Sequence, residues 1–459
     1  LALALAIGAF AHYRFALVVL AGAAGLLAVR EGRALLRQPG LWLALAAGAA
    51  AWWPVLAWNL ANQGAGVEFQ FLQRHPWQPQ AGGLWWLPVQ ALVLTPPLFV
   101  LLVATLAEAW RRRGGGEPAW PLLLGLAAVA VPGYFLLGFF ADTDRVSFHW
   151  PLAGWLALCT AAPVLLGRWQ PWARRWVFGV AAAGLVALVA YLAVLAAPGG
   201  RSALAGGPAY ADNLSGWHEV AAAVRDDLAG MPPGTLLVAD NFMLGAQLSL
   251  ALGGDEVPVL EHPLNAKHGR ALQLAHWGLL ERGERLRGGT PVLLVVEDTA
   301  RPLKDRLEAY RALCGLAGSL PAPRVLNVDQ GRKRFLRFAL PAAAEGCVLP
   351  ALAWIDTPRP GEAVAGTLRV EGWALKPGAD LARVEVLLDG EVVARAEHGL
   401  PRPDVATYWR LPVADGVNHG FRAELRLAGR APGRAWLGLR LHDAGGGVED
   451  WPAVPVELR

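Results

Sequence analysis

Residues 101–140 read LLVATLAEAWRRRGGGEPAWPLLLGLAAVAVPGYFLLGFF, two apolar runs separated by three consecutive arginines and a glycine-rich turn. Runs of roughly 17–25 apolar residues are long enough to cross a bilayer. The charge of Arg111, Arg112 and Arg113 marks where the chain leaves the lipid. Working outward, the pattern repeats. Apolar runs occupy residues 41–58, 84–110, 120–140, 150–166 and 176–197, after a shorter, interrupted one at the start. Tryptophans cluster at their ends (Trp42, Trp58, Trp85, Trp86, Trp110, Trp120, Trp150, Trp176), where amphipathic rings prefer the headgroup layer.

The connecting loops differ in charge. Residues 30–40 hold Arg30, Arg33 and Arg37; the next loop on that side holds Arg111 to Arg113, and the third holds Arg168, Arg174 and Arg175. Residues 59–83 and 141–149 hold only Arg74 and Arg145. Nine arginines against two, in strict alternation, is the positive-inside pattern, which a soluble helical bundle has no reason to produce. The sequence therefore reads as a polytopic protein of a bacterial inner (plasma) membrane, with everything after residue 197 outside the cytoplasm. Residues 1–200 carry 12 arginines and 6 acidic residues, while the other 259 carry 29 basic and 31 acidic residues. The basic excess lies in the apolar half, so nucleic acid is not an expected partner.

His12, Tyr13 and Arg14 interrupt the first apolar stretch. Two readings stay open: an ionisable cluster at membrane depth that serves function, or a break between two short helices with Arg14 snorkelling to the interface. The chain begins at Leu1 inside an apolar stretch with no positively charged leader, and so reads as the later part of a longer protein.

Three domains are expected: a transmembrane helical domain of about six apolar segments (1–198), a small α/β domain (199–345) and a β-sandwich (346–459). A Gly/Pro/Ala linker over 198–208 precedes helical spacing at 216–228. Buried-type strands at 235–239 and 291–296, each followed by a helical stretch, and a third strand at 334–338 indicate the α/β domain. Short alternating strands follow at 367–374, 383–388, 391–397, 421–427, 435–441 and 453–458, with Asp389–Gly390 as a tight hairpin turn. Cys159 reads as a small packing residue, while Cys314 and Cys347 fall on the oxidising side, where a disulfide can form. His262, His268 and His276 lack compact metal-ligand spacing, and no metal or other cofactor is expected.

Several segments carry a family likeness. Ala11–His12–Tyr13–Arg14, Pro39–Gly40–Leu41–Trp42, Trp53–Pro54–Val55–Leu56–Ala57–Trp58–Asn59, and Val67–Glu68–Phe69–Gln70–Phe71 with Arg74–His75 come first. Gln90 through Pro96–Pro97–Leu98, Phe139–Phe140 to Val146–Ser147–Phe148–His149–Trp150–Pro151, Gly216–Trp217–His218–Glu219 and Val238–Ala239–Asp240–Asn241–Phe242 follow in order. Over residues 1–340 the chain resembles the bacterial branch of the dolichyl-phosphate-mannose protein mannosyltransferase-like family. This is glycosyltransferase family 39, of the GT-C fold, with the lipid A aminoarabinose transferases among its relatives. The pattern of Trp373, Asp389–Gly390 and Pro401–Arg402–Pro403–Asp404–Val405 is similar to accessory β-sandwiches on bacterial surface proteins.

The resemblance implies transfer of a sugar from a polyprenyl-phosphate donor to a lipid, glycan or protein acceptor outside the cytoplasm. It also implies an acidic general base in a first external loop, which the truncated reading places upstream of Leu1, so no catalytic residue is named in this chain. That chemistry needs cations beside the carrier phosphate, because charge shifts onto the phosphate as the glycosidic bond breaks. Arg74 and Arg145 are the candidates, with His75 and His149 beside them. Glu68 is a candidate for orienting the acceptor, and His12, Tyr13 and Arg14 complete the substrate-binding set. Asp142 and Asp144 read as a solvated turn. The competing reading is a non-catalytic membrane anchor that presents a glycan-binding or structural module.

Overall fold

The structure, a computed structural model, describes residues 1–12, 15–69, 72, 77–140, 148–254, 256–341, 346–412 and 416–459. The chain divides into two units, Leu1–Tyr191 and Leu192–Arg459.

The first unit is helical: α1 (Ala2–Ala11), α2 (Phe15–Ala28), α3 (Arg30–Leu35), α4 (Pro39–Ala50), α5 (Trp53–Ala61), α6 (Ala65–Glu68), α7 (Trp86–Leu94), α8 (Pro96–Arg112), α9 (Ala119–Leu137), α10 (Leu152–Leu166) and α11, which starts at Pro171 and ends at Ala196. Among the described residues, three stretches are long and apolar enough to cross a membrane: Pro39–Ala61, Ala119–Leu137 and Pro171–Ala196. The run read at 84–110 is not one rod. It bends by 113° between α7 and α8, at Thr95, whose φ is 70°. Pro96 and Pro97 explain the break, since proline removes amide donors and disfavours helix in the residue before it. The run at 150–166 forms only the 15 residues of α10, about 22 Å at 1.5 Å per residue.

Small residues set the closest helix contact. Gly25 of α2 lies against the start of α9, where an added Cβ would stand 2.8 Å from the carbonyl oxygen of Leu122 and Gly125 abuts its backbone. Trp86, Leu102, Ala109, Ala127, Trp155 and Leu158 form a buried cluster of α7 to α10.

The second unit opens with α12 (Pro198–Leu204) and α13 (Trp217–Ala229). Residues 198–208 are thus not the plain linker their composition suggests. Pro198 suits a first helical turn, and buried Arg201 is held by Glu219 and, at 3.1 Å, by Asp329. The unit continues with β1 (Leu236–Ala239), α14 (Phe242–Ala251), β2 (Val259–Leu260), α15 (Pro263–Lys267), α16 (Ala271–His276), β3 (Leu280–Glu281), α17 (Glu284–Arg287), β4 (Val292–Glu297), α18 (Leu303–Ala317), β5 (Arg324–Val328) and β6 (Lys333–Leu340). The sheet order is β3-β2-β1-β4-β6-β5. The first four strands are parallel, and β6 is antiparallel to both neighbours. Every residue of β4 is buried, as a strand covered on both faces requires. Cys314 and Cys347 form a disulfide.

Two further sheets follow, built from β7 (Leu352–Thr357), β8 (Glu362–Val364), β9 (Thr367–Leu375), β10 (Leu381–Leu388), β11 (Glu391–Arg395), β12 (Glu397–Leu400), β13 (Gly420–Arg426), β14 (Gly433–Asp443) and β15 (Val448–Leu458), with α19 (Pro403–Tyr408) between β12 and β13. Their orders are β11-β10-β14-β15-β8 and β12-β13-β9-β7. The stretch read as one strand at 391–397 divides: β11 joins the first sheet and β12 the second. Asp389 (φ 52°) and Gly390 (φ 85°) make the expected hairpin turn, both in the left-handed region that such turns need. Inner-face residues of both sheets, such as Val370, Val386 and Leu439, share one buried cluster with Leu336 and Phe338 of β6.

Candidate functional site

In the first unit the contacts sort the loops by end. Glu108, near the end of α8, pairs with Arg112 at 2.7 Å and with Arg168, beyond α10, at 3.1 Å. The guanidinium of Arg112 also lies 4.9 Å from the Trp120 ring at the start of α9. Gly25 meets that same start of α9, and Arg30 and Arg33 of α3 follow it directly. Three arginine-bearing connections therefore gather at one end of the helices.

The sparsely charged connections meet elsewhere. The Gln80 amide donates to the Phe139 carbonyl at 2.9 Å, and Gly83 packs so closely on Gly138 and Phe139 that a Cβ would not fit. Gln90, almost fully buried on α7, donates through Nε2 to the Phe148 carbonyl at 2.6 Å and accepts from Trp155 Nε1 at 2.8 Å. The Trp86 ring stacks 6.4 Å from Trp155 behind it. These bonds fix residues 80–90 against residues 139 and 148.

Of the candidate residues, Tyr13, Arg14, Arg74, His75 and Arg145 lie outside the described residues, as do Asp142 and Asp144. His149 is exposed, its ring edge-on to Phe148 at 6.0 Å. His12 lies before α2, in which the ten-residue rise from Phe15 to the Gly25 contact is about 15 Å. Glu68 ends α6 and lines an open groove of about 840 Å³ with Trp53, Leu56, Leu60, Val67 and Leu72. Among the described residues, Asn59, Gln63 and Glu68 bring amide and carboxylate groups to that largely apolar wall. Asn59 Oδ1 accepts from the Val67 amide at 3.1 Å and so ties α5 to α6. No group of histidine, cysteine or carboxylate suited to a metal ion occurs among the described residues.

Gln90 is the positioning residue that a search for charge passes over. Its signal was a single amide within an apolar run, which at membrane depth needs partners.

No protein-family model and no curated protein matches the sequence. Among solved structures, ArnT from Cupriavidus metallidurans bound to undecaprenyl phosphate is 16% identical over 74% of this chain and 69% of that one, with a TM-score of 0.40. The same protein in the apo state is 16% identical over 68% of this chain and 63% of that one, with a TM-score of 0.35. The fibronectin(III)-like modules of Clostridium thermocellum CbhA are 15% identical over 24% of this chain, with a TM-score of 0.17, and the match spans 46% of their length.

Proposed function

We propose that the chain is part of an integral-membrane glycosyltransferase of GT-C type, which moves a sugar from a polyprenyl-phosphate carrier to an acceptor outside the cytoplasm. In this reading the arginine-gathered end of the first unit faces the cytoplasm, and the second unit lies outside the bacterial inner membrane. The α/β and β-sandwich parts of that unit, with their boundary near residue 345, hold or select the acceptor.

The observation that carries the reading is the pinning of residues 80–90 to 139 and 148 at one end of the helices. In this reading Arg74 with His75, and Arg145 with His149, act beside the carrier phosphate. As the anomeric carbon passes to the acceptor oxygen, the bond to the carrier phosphate breaks and negative charge grows on that phosphate. Guanidinium donors held there stabilise the departing group more than the ground state. The groove beside Glu68 offers apolar wall for the carrier's hydrocarbon and one carboxylate for an acceptor hydroxyl. His12, Tyr13 and Arg14 complete the substrate-binding set in this reading.

The test is transfer from a labelled polyprenyl-phosphate sugar by the full-length protein in lipid. Arg74→Ala and Arg145→Ala should each lower turnover by about two orders of magnitude, the usual cost of one donor to developing charge. Unchanged turnover in both variants removes the site assignment. No transfer by the parent protein favours a membrane anchor that presents its second unit.

A further inference from the structure

The second unit contains a cleft to which nothing above assigns a ligand. In the sheet order β3-β2-β1-β4, the chain leaves β1 and β4 in opposite directions. α14 follows β1 and packs with Ala239, Leu293 and Val295 on one face. α18 follows β4 and packs with Val238, Leu294 and Val296 on the other. Where crossovers part in this way, a crevice opens at the carboxyl ends of the parallel strands, and such crevices hold ligands. Here the cleft measures about 590 Å³, within the range of small-molecule sites.

Its carboxylates are not equivalent. Asp298 is taken up by Arg306 and Arg334, each at 2.8 Å. Glu281 accepts from the Gly283 and Arg285 amides, and Glu261 pairs with Arg282 at 3.3 Å. Asp240, at the end of β1, is 4% exposed. Its Oδ1 accepts from Asn241 and from the Glu297 amide, but Oδ2 has no hydrogen-bond partner among the described residues. Asp305 and Glu308 line the cleft from exposed positions, and Arg301, half-buried there, makes no side-chain hydrogen bond or ion pair with a described residue but feels the charges of Asp240 and Asp305. Leu260, Val296 and Leu313 supply the apolar wall between them.

We propose that this cleft binds a free α-amino acid with an apolar side chain: its ammonium on Asp240, its carboxylate on Arg301, its side chain over Leu260, Val296 and Leu313. The buried Asp240 Oδ2 and the Arg301 guanidinium, each without a hydrogen bond from a described residue, match the two charged ends of that ligand beside an apolar wall, and binding leaves neither of them unpaired. The site stands independently of the glycosyltransferase reading.

The groups around Asp240 give the binding a signature. Burial and the charge of Glu297 push its carboxyl up to about 8, against the pull of Arg301 and Asn241. His262 faces it at 3.7 Å and is itself pushed down to about 3 by burial and Arg301, hence neutral. Asp240 is therefore protonated in the empty cleft at neutral pH, and an arriving ammonium displaces that proton.

Calorimetry on the full-length protein in detergent, with L-leucine, L-phenylalanine and glycine, tests this. Saturable binding of leucine is expected, with release of close to one proton per ligand, read from the dependence of the heat on buffer ionisation. 3-Methylbutylamine, which lacks the carboxylate, and 4-methylpentanoate, which lacks the ammonium, should each bind at least about tenfold more weakly. Asp240→Asn should abolish the proton release. Arg301→Gln, at a half-buried position where folding is less at risk, should weaken leucine at least about tenfold but leave 3-methylbutylamine unchanged. No saturable binding by any of the three amino acids overturns the proposal. Binding by the amine as tight as by leucine, or a wild-type response in Arg301→Gln, overturns it equally.

Discussion

Replacing Arg334 by leucine should unfold the second unit far more readily than its single side chain suggests. The guanidinium is fully buried and joins Asp298 at 2.8 Å to Glu449 at 3.2 Å, 4.8 Å from the centre of the Trp451 ring. Asp298 keeps Arg306 and Tyr310, while Glu449 keeps Lys376 and the Ala351 amide. Lys376 also lies 3.6 Å from Asp443. Arg306, Arg334 and Lys376 thus balance Asp298, Glu449 and Asp443, and Arg334→Leu leaves one buried negative charge without its cation. Breaking a buried pair in this way costs about 3–5 kcal/mol, which at about 2–4 °C per kcal/mol for a unit of this size lowers its melting temperature by roughly 10 °C. Arg334→Lys keeps the charge but not the two-sided reach, and forfeits one charge-assisted bond worth about 1.5–3 kcal/mol. Hydrogen exchange of β6 and β15 amides in the full-length protein reads the effect where the network joins them. Protection in Arg334→Leu within about 1 kcal/mol of the parent, or a lysine variant as damaged as the leucine one, would refute the reasoning.

Three further outcomes are expected. Stability of the second unit depends on pH through two buried groups. Asp240, raised from 3.8 to about 8, favours the folded state most below 3.8 and loses that advantage as pH rises to 8. His262, lowered from 6.5 to about 3, favours it above 6.5 and loses that advantage as pH falls. The two trends oppose each other between about pH 4 and 6.5, so a plateau is expected there, followed by a fall toward pH 8 of about 1.4 kcal/mol per unit; Asp240→Asn should remove that fall, as read by β1 amide exchange against pH. Cys314 and Cys347 lie 33 residues apart, so replacing both by alanine should cost about 3–4 kcal/mol by loop closure, and the untreated parent should resist alkylation at both positions until reduced. Gln90→Leu leaves the Phe148 carbonyl and the Trp155 indole without their partner, so transfer activity should fall while membrane insertion is unchanged.

Much of the fold was legible because its signals were local. Asp389–Gly390 states its own turn type, and the apolar run at 291–296 reads as a covered strand. The bend at Thr95 was written in Pro96–Pro97, yet hydropathy alone joined the two arms into one rod. Strands of two residues, Val259–Leu260 and Leu280–Glu281, carry too little pattern to be read and exist because β1 offers the first a parallel edge and the first offers one to the second. Arg201 was hidden in a stretch of glycine, proline and alanine, since its partners Glu219 and Asp329 are distant in sequence. The site divides the same way. Arginines stand out by charge, whereas Gln90, which ties α7 to Phe148 and Trp155, is one polar letter whose partners only the fold reveals.

The most direct test of the central claim is the side of the membrane on which the second unit lies. Alkaline phosphatase and a fluorescent protein, fused in separate experiments after Arg459, report it in living bacteria. An active phosphatase and a dark fluorescent protein are expected, with the arginine-bearing connections protected from external reagents. A bright fluorescent protein with an inactive phosphatase would place the unit in the cytoplasm and contradict both the topology and the transfer reaction built on it.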